Sequence, residues 1–281
     1  MSLGQTIRLK SGLDMPAFGY GTWKMGEIAA NEADEIATIH QALERGVSHF
    51  DTAEMYGDGS TELLLGKAFS GADRSNLFLT SKFYPFNASK QAMMNSCEDS
   101  LERMGTSYID LYLLHWPGAT AFEETLEGAH QLLEQGKIRA FGVSNFSFQE
   151  LGDLIDGGLS DLIDVNQVMY NPARRGIEFD LLPLMQLHTI ACVAYTPIEP
   201  ALLGRNGAFA ELAQSLNFSP AELALSWHMT SGRAVPIPKC SKPHHLDGLL
   251  RAAQTTLDTE VMSAIDGMFP PPSHAAPLDL L

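Results

Sequence analysis

The sequence predicts an α/β fold, a (β/α)8 (TIM) barrel with a short N-terminal β-hairpin. The chain has 281 residues, in the usual range for one such barrel, which is roughly 250 residues before insertions. Eight β-branched and aromatic runs alternate with helical patterns between about residues 16 and 255. Several runs, such as 109–114 with Asp110 as its one charged residue, are almost continuously apolar, which is typical of parallel strands covered by helices. We expect one domain over residues 1–281.

The predicted elements follow a βα order along the whole chain. Residues 7–9 and 12–14 form a small hairpin pattern that could cover the bottom of the barrel. Between the strands lie predicted helices. For example, apolar residues recur at helical spacing from Phe122 to Leu133, and Gly136 ends this predicted helix. The eight predicted strands cover residues 16–22, 47–52, 76–82, 108–115, 138–144, 162–169, 190–195 and 234–238.

An open, doubly wound sheet is the alternative arrangement for alternating strands and helices. That fold binds dinucleotides with a GxGxxG turn directly after its first strand. Residues 19–26 contain three glycines, but their spacing does not match this turn. The pattern therefore favours the closed barrel.

The composition excludes several classes of partner. A net charge of −16 and a pI near 4.8 repel phosphate backbones and anionic lipids, so we expect no nucleic-acid or membrane partner. Residues 238–245 are a local exception, with two lysines and two histidines.

The three cysteines are far apart and match neither a disulfide scaffold nor a zinc site. Residues 1–10 lack a signal-peptide pattern, and no apolar run is long enough to span a membrane, so we expect a soluble protein of the cytoplasm. We also expect a monomer.

Four polar residues stand at or just after the carboxyl ends of predicted strands, where barrel enzymes place their working groups. They are Asp51, Tyr56, Lys82 and His115. Each alone has an ordinary explanation as a helix cap, a solvated charge or a hydrogen-bonded core residue. Because they occur at successive strand ends, they should meet at one mouth of the barrel.

The motifs that contain these residues resemble the aldo-keto reductase superfamily, and in particular its bacterial methylglyoxal-reductase-like members. They occur in the family's order and extend from Gly19 to about residue 250. The resemblance implies reduction of small aldehydes and ketones with NADPH, or NADH as the alternative cofactor. The matching segments are residues 50–57, 80–82, 111–117, 142–145 and 237–239.

Carbonyl reduction explains why these four residue types belong together. Hydride goes to the carbonyl carbon and a proton to its oxygen, and a phenol with a pKa near 10 is a poor match to that task near neutral pH. We expect Tyr56 to be the general acid, and a Lys82 cation beside it to lower its pKa. Asp51 would hold Lys82 in place and charged. The resemblance implies that His115 hydrogen-bonds the substrate oxygen and sets its orientation. Because the cofactor carries the hydride, no metal is expected.

The resemblance also implies the cofactor contacts. Ser144, Asn145 and Gln167 match positions that bind the nicotinamide carboxamide, and Tyr195 matches the aromatic that stacks on the nicotinamide ring. The remaining cofactor-binding residues on this side are Gly21, Thr22, Trp23 and Asp51.

The segment for the adenosine 2′-phosphate departs from the family pattern. Lys239 is retained, but Cys240 stands where serine is common and His245 where arginine is frequent. Leu249 occupies a position where many members have an adenine-contacting asparagine. We therefore expect a preference for NADPH over NADH that is modest.

The resemblance implies that Trp23 and Trp116 are aromatic walls of the substrate pocket, next to Tyr56 and His115. The loop after His115 is short, and only residues 269–281 follow the last helix. Long insertions at these places are what build large pockets in the family, so we expect a shallow, apolar and open site. Methylglyoxal-like carbonyls and aromatic aldehydes fit it better than steroids or long sugars.

Two other functions fit parts of the pattern. A cofactor-binding regulatory protein would share the fold, although it would not need the four polar residues. A metal-dependent hydrolase would need further histidines at strand ends, and the sequence does not place them there.

Overall fold

Eight parallel strands form the central sheet, which closes on itself at Gly21. The computed structural model of the chain describes residues 4–280, with His244 described by its backbone only. The eight strands lie side by side in chain order. The first and last meet through a hydrogen bond from Gly21 N to Pro238 O (3.0 Å) and a parallel bridge between Gly21 and Lys239. The predicted (β/α)8 barrel is confirmed.

The strands and helices of the described chain are numbered here in chain order. The strands are β1 (Thr6–Arg8), β2 (Asp14–Pro16), β3 (Gly19–Gly21), β4 (His49–Asp51), β5 (Phe78–Phe83), β6 (Ile109–Leu114), β7 (Ile138–Ser144), β8 (Ile163–Met169), β9 (Ala191–Tyr195) and β10 (Val235–Pro236). The α-helices are α1 (Glu32–Glu44), α2 (Ser60–Ala68), α3 (Lys90–Met104), α4 (Phe122–Glu134), α5 (Phe148–Asp156), α6 (Leu181–Leu187), α7 (Pro200–Leu203), α8 (Gly207–Ser215), α9 (Pro220–Ser231), α10 (Pro243–Ala253) and α11 (Thr259–Met268).

All eight predicted barrel strands are present, most of them shorter than predicted. The largest difference is in the first strand, predicted over 16–22 and observed only at Gly19–Gly21. The last strand, predicted over 234–238, is observed only at Val235–Pro236. Proline has no N–H to donate, so Pro236 and Pro238 limit the regular ladder here. The carbonyl of Pro238 still accepts the bond that closes the barrel.

The apolar pattern of β6 reflects burial on both faces. Leu111 and Leu113 point into the barrel, where they belong to the same buried cluster as Val165 and Val193. Tyr112 and Leu114 belong to the larger cluster between barrel and helices. Since neighbouring residues of a strand face opposite sides, a continuously apolar run is what such a strand requires.

The predicted N-terminal hairpin is confirmed, and it covers the bottom of the barrel. β1 and β2 are antiparallel, with Ile7 opposite Met15. Met15 and Leu9 are buried in the interior cluster together with Phe78, at the start of β5.

The helices begin and end close to the predicted positions. The helix predicted from Phe122 is α4, and Gly136 beyond its end has φ of 68°, a left-handed conformation that glycine adopts at little cost. Over residues 4–280, no helix is both long enough and apolar enough to span a membrane.

Candidate active site

Lys82 is the centre of a buried polar cluster at the carboxyl end of β5. Its side chain has no exposure to solvent. Nζ donates to Asp51 Oδ1 at the end of β4 (2.6 Å), to the carbonyl of Thr52 (2.8 Å) and to Tyr56 OH (3.2 Å). The structure therefore brings together the three residues that the sequence predicted to act as a unit.

Asp51 is held by two groups besides Lys82. Gln167 Nε2, at the end of β8, donates to Asp51 Oδ2 (2.7 Å), and Thr22 Oγ1 donates to the Asp51 carbonyl (2.8 Å). The sequence analysis missed both contacts, because it assigned Gln167 and Thr22 to the cofactor alone. Asp51 and Gln167 are 116 positions apart, and no local pattern signals their contact.

The electrostatics of the cluster keep Lys82 charged and Tyr56 protonated. Burial alone would lower the pKa of Lys82, but Asp51 and Tyr56 more than offset it, so the pKa is raised. Burial raises the pKa of Tyr56, and Lys82 acts in the opposite direction without cancelling it. The expectation that Lys82 brings the pKa of Tyr56 below its ordinary value is therefore wrong for this structure. A protonated phenol is nevertheless the form that a proton donor needs.

His115 lies beside Tyr56 at the carboxyl end of β6. Their ring centroids are 5.9 Å apart in an edge-on arrangement. Burial, with a further contribution from the Lys82 charge, lowers the pKa of His115 to about 3, so the imidazole is neutral at physiological pH. Its Nδ1 is buried without a hydrogen-bond partner in the described chain. A buried imidazole with an unmet hydrogen bond is suited to a substrate oxygen.

The residues predicted to hold the nicotinamide form one network at the ends of β7, β8 and β9. Asn145 is its centre: Nδ2 donates to the His115 carbonyl (3.0 Å) and to Ser144 Oγ (3.2 Å). Asn145 Oδ1 accepts from Tyr195 OH (2.9 Å), and Ser144 Oγ donates to the Gln167 carbonyl (2.8 Å). Asn145 has φ of 61°, a left-handed conformation that asparagine tolerates better than most residues. The network is contiguous with the Lys82 cluster through Gln167 and His115.

The residues predicted to bind the 2′-phosphate lie between β10 and the start of α10. Lys239 is half-buried, and burial lowers its pKa. Within residues 4–280, no carboxylate forms an ion pair with it. The Cys240 side chain is buried and its thiol donates to the Lys242 carbonyl (3.2 Å). His245 is exposed in the first turn of α10, which has no side-chain cap on its N–H groups.

Aromatic residues surround the mouth. The ring centroids of Trp116 and His115 are 5.0 Å apart. Trp23 is partly exposed, and Lys24 Nζ lies 4.5 Å from the centroid of its ring. Tyr84, which the sequence analysis did not single out, lies edge-on to Trp116 at 5.8 Å. Tyr84 directly follows β5, so its place after a strand end was the available signal.

The arrangement can donate a proton at an apolar mouth. It combines a phenol, a buried ammonium and a neutral imidazole, all at adjoining strand ends. In the described part of the chain, no group of three or more histidine, cysteine, aspartate or glutamate side chains could hold a metal ion.

Comparisons with known proteins agree with this geometry. The profile described as "Aldo/keto reductase family" matches residues 17–269. The methylglyoxal reductase YeaE of Escherichia coli K12 is 38% identical, over 98% of each chain. The glyoxal reductase of Bacillus subtilis 168 is 33% identical, over 95% of this chain and 94% of its own. The crystal structure of an aldo-keto reductase from Klebsiella pneumoniae in complex with NADPH superimposes with a TM-score of 0.93 at 36% identity, covering 99% of both chains. This chain belongs to the aldo/keto reductase family.

Proposed function

We propose that this protein reduces small aldehydes and ketones to alcohols by hydride transfer from NADPH, with Tyr56 as the general acid. The observation that carries the proposal is the buried Lys82, which contacts both Asp51 and the Tyr56 hydroxyl. A fully buried lysine needs a strong reason to be kept, and tuning a neighbouring acid is one.

The residues at the two ends of the proposed cofactor site fit nicotinamide adenine dinucleotide phosphate. Lys239 is a half-buried cation without an ion-pair partner in the described chain, and a 2′-phosphate would supply one. At the other end, Ser144, Asn145 and Gln167 offer hydroxyl and amide groups for a carboxamide, and the Tyr195 ring is available to stack on the nicotinamide. Bound NADPH supplies the hydride that goes to the carbonyl carbon.

The protein's own residues would handle the proton. Lys82 donates to the Tyr56 oxygen, which leaves the phenolic O–H available to a substrate oxygen. As this proton leaves, the Lys82 charge stabilises the phenolate, and solvent then returns a proton to Tyr56. His115 would donate a hydrogen bond to the same substrate oxygen as a neutral imidazole, which adds no competing positive charge beside Lys82.

The mouth supports small carbonyl compounds such as methylglyoxal, or aromatic aldehydes, as substrates. Only six residues separate His115 from α4, so no long loop encloses the site between Trp116 and the helix. Methylglyoxal and glyoxal reduction by the named relatives supports the same substrate class. Action in the cytoplasm, as a single-domain monomer, stays a prediction.

The test is NADPH oxidation in the presence of methylglyoxal by the wild type and Tyr56→Phe. Only a hydroxyl is lost in this variant, so we expect NADPH to bind nearly as before and turnover to fall by at least about a hundredfold. Tyr108→Phe is the matched control, since Tyr108 stacks on Arg74 beside the amino end of β6, far from the mouth. Full turnover by Tyr56→Phe would refute its assignment as the acid.

A further inference from the structure

A continuous series of aromatic rings leads from the catalytic cluster to the surface. Beyond Tyr56, His115 and Trp116, the series continues through Tyr84, which stacks on Phe86 with ring centroids 4.5 Å apart and planes inclined by 20°. Phe86 is the outermost ring and is 73% exposed. An aromatic side chain this exposed contributes little to the core, and most of its surface is open to a ligand.

The turn that carries Phe86 is held in place by a half-buried carboxylate. Residues 84–87 follow β5, and Glu54 reaches them from the loop after β4. Glu54 Oε1 accepts from Tyr84 N (2.6 Å) and from Asn87 Nδ2 (3.0 Å). Burial raises the pKa of Glu54, while these hydrogen bonds act in the opposite direction. A carboxylate kept here at a desolvation cost fixes the turn.

A second loop fixes the same turn from the other side. A Cβ on Gly118, in the loop after β6, would lie 2.6 Å from Pro85 Cβ, so only glycine permits this approach. Farther along, Thr125 Oγ1 in α4 donates to the carbonyl of Ala88 (2.8 Å). The exposed Phe86 ring is thus presented by a rigid turn, and it loses little conformational freedom when it binds a ligand.

We propose that Tyr84 and Phe86 form an outer subsite for the planar body of an aromatic aldehyde or ketone whose carbonyl lies at Tyr56. In this assignment Glu54 is a positioning residue, which acts through the turn and does not touch the substrate. The proposal rests on the proposed reductase function and extends it, because it selects substrates by the size of their aromatic part.

The chemistry of the subsite defines its ligand. Tyr84 and Phe86 offer π faces and apolar edges, and ring pairs favour offset-stacked or edge-on contacts with another aromatic ring. In the described chain no charged group is part of the ring series beyond Trp116, so the subsite offers a carboxylate no ion pair. Methylglyoxal, with three carbons, is too small to span from Tyr56 past Trp116 to Phe86.

The test compares 2-naphthaldehyde with methylglyoxal at saturating NADPH. We expect Phe86→Ala to lower the ratio of kcat/KM for 2-naphthaldehyde over methylglyoxal by roughly three- to tenfold, the range of one aromatic contact. Phe86→Tyr keeps the ring and should keep the ratio. Leu187→Ala is the control, since Leu187 is 77% exposed and ends α6 away from the mouth, and the ratio should not change.

Two Glu54 variants separate positioning from simple loss of a charge. Both hydrogen bonds from the turn go to the single atom Oε1, and glutamine keeps such an oxygen, so Glu54→Gln should keep the substrate ratio near that of the wild type. Glu54→Ala removes the acceptor and should lower the ratio as Phe86→Ala does. A lowered ratio in Glu54→Gln, or an unchanged one in Glu54→Ala, would overturn the positioning role.

The outcomes for the subsite and for the reductase are distinguishable. Reduction of methylglyoxal by the wild type, combined with an unchanged ratio in Phe86→Ala, would overturn the subsite and leave the reductase standing. Failure of the wild type to reduce either compound would overturn the reductase, and the subsite with it.

Discussion

Lys82 and Asp51 form a salt bridge that is closed to solvent on both sides, with Nζ 2.6 Å from Oδ1. Gln167 occupies the second carboxylate oxygen, and Tyr56 accepts a further hydrogen bond from Lys82. Each charge is thus compensated only by this cluster. Removal of one partner leaves the other buried and unpaired, whereas removal of both charges leaves a neutral site.

The first prediction uses this difference to separate stability from catalysis. Lys82→Met should lower the free energy of unfolding by about 3–5 kcal/mol, because Asp51 then lacks its partner. Asp51→Asn combined with Lys82→Met should recover part of that loss. Both variants should lose at least about a hundredfold in turnover, because no cation remains beside Tyr56. Urea unfolding and NADPH oxidation measure the two quantities. Near-native turnover in the double variant would remove the reason for pairing Lys82 with Tyr56.

Much of the site could be predicted because a parallel barrel converts chain order into position. Every strand ends at the same mouth, so Asp51, Lys82 and His115 could be grouped from their places after apolar runs. The pKa of Tyr56 could not be predicted, since its direction depends on how deeply the phenol is buried, and burial outweighs Lys82. The contacts of Glu54 could not be predicted either, because its hydrogen-bond donors, Tyr84 N and Asn87 Nδ2, lie 30 or more positions away.

The second prediction concerns closure of the barrel at Gly21. A Cβ at this position would lie 2.6 Å from the carbonyl oxygen of Ile237, a backbone atom that cannot move without opening the junction with β10. Gly21→Ala should therefore reduce stability and also weaken NADPH binding, because Lys239 is bridged to Gly21. Thermal unfolding and NADPH titration by fluorescence measure the two effects.

Gly152→Ala is the matched control for Gly21→Ala. Gly152 lies in α5. In the described chain, no atom outside the adjoining residues and the backbone of this helix would lie within 4 Å of a Cβ at this position. Inside a helix, alanine is more favourable than glycine by about 1 kcal/mol, so this variant should be as stable as the wild type or more stable. Equal stability of the two alanine variants would show that the junction at Gly21 tolerates a side chain.

The third prediction concerns acid stability. Burial lowers the pKa of His228 to about 3 from an ordinary 6.5. Below pH 6.5 the unfolded chain takes up a proton at this residue that the native protein refuses until about pH 3. The stabilisation is therefore complete above pH 6.5 and is lost as the pH falls through this window. Its contribution to the free energy of unfolding changes by about 1.4 kcal/mol per pH unit.

His228→Gln should remove this contribution. Urea unfolding between pH 7 and pH 5 should then show a shallower loss of stability than in the wild type, even if the variant is less stable throughout. His130→Gln, at an exposed position on α4, is the control and should keep the wild-type slope. An unchanged slope in His228→Gln would mean that the native protein protonates this histidine as readily as the unfolded chain does.

The last prediction concerns the choice between NADPH and NADH, which differ only by the 2′-phosphate. Lys239 is a half-buried cation with no ion pair in the described chain. His245 is exposed in the adjoining turn of α10, where an imidazole binds phosphate less strongly than a guanidinium does. Lys239→Met should lower the ratio of kcat/KM for NADPH over NADH by roughly ten- to a hundredfold, the value of one charge-assisted hydrogen bond. His245→Arg should raise the same ratio, because guanidinium is always charged and can bind phosphate through two N–H groups.

The ratio cancels any effect on Tyr56 or His115, which act alike with both cofactors. Lys137→Met, which breaks a surface pair with Glu98 near the start of β7, should leave the ratio unchanged. A ratio that Lys239→Met does not alter would show that the phosphate binds elsewhere, and a wild-type ratio below one would contradict NADPH as the preferred cofactor.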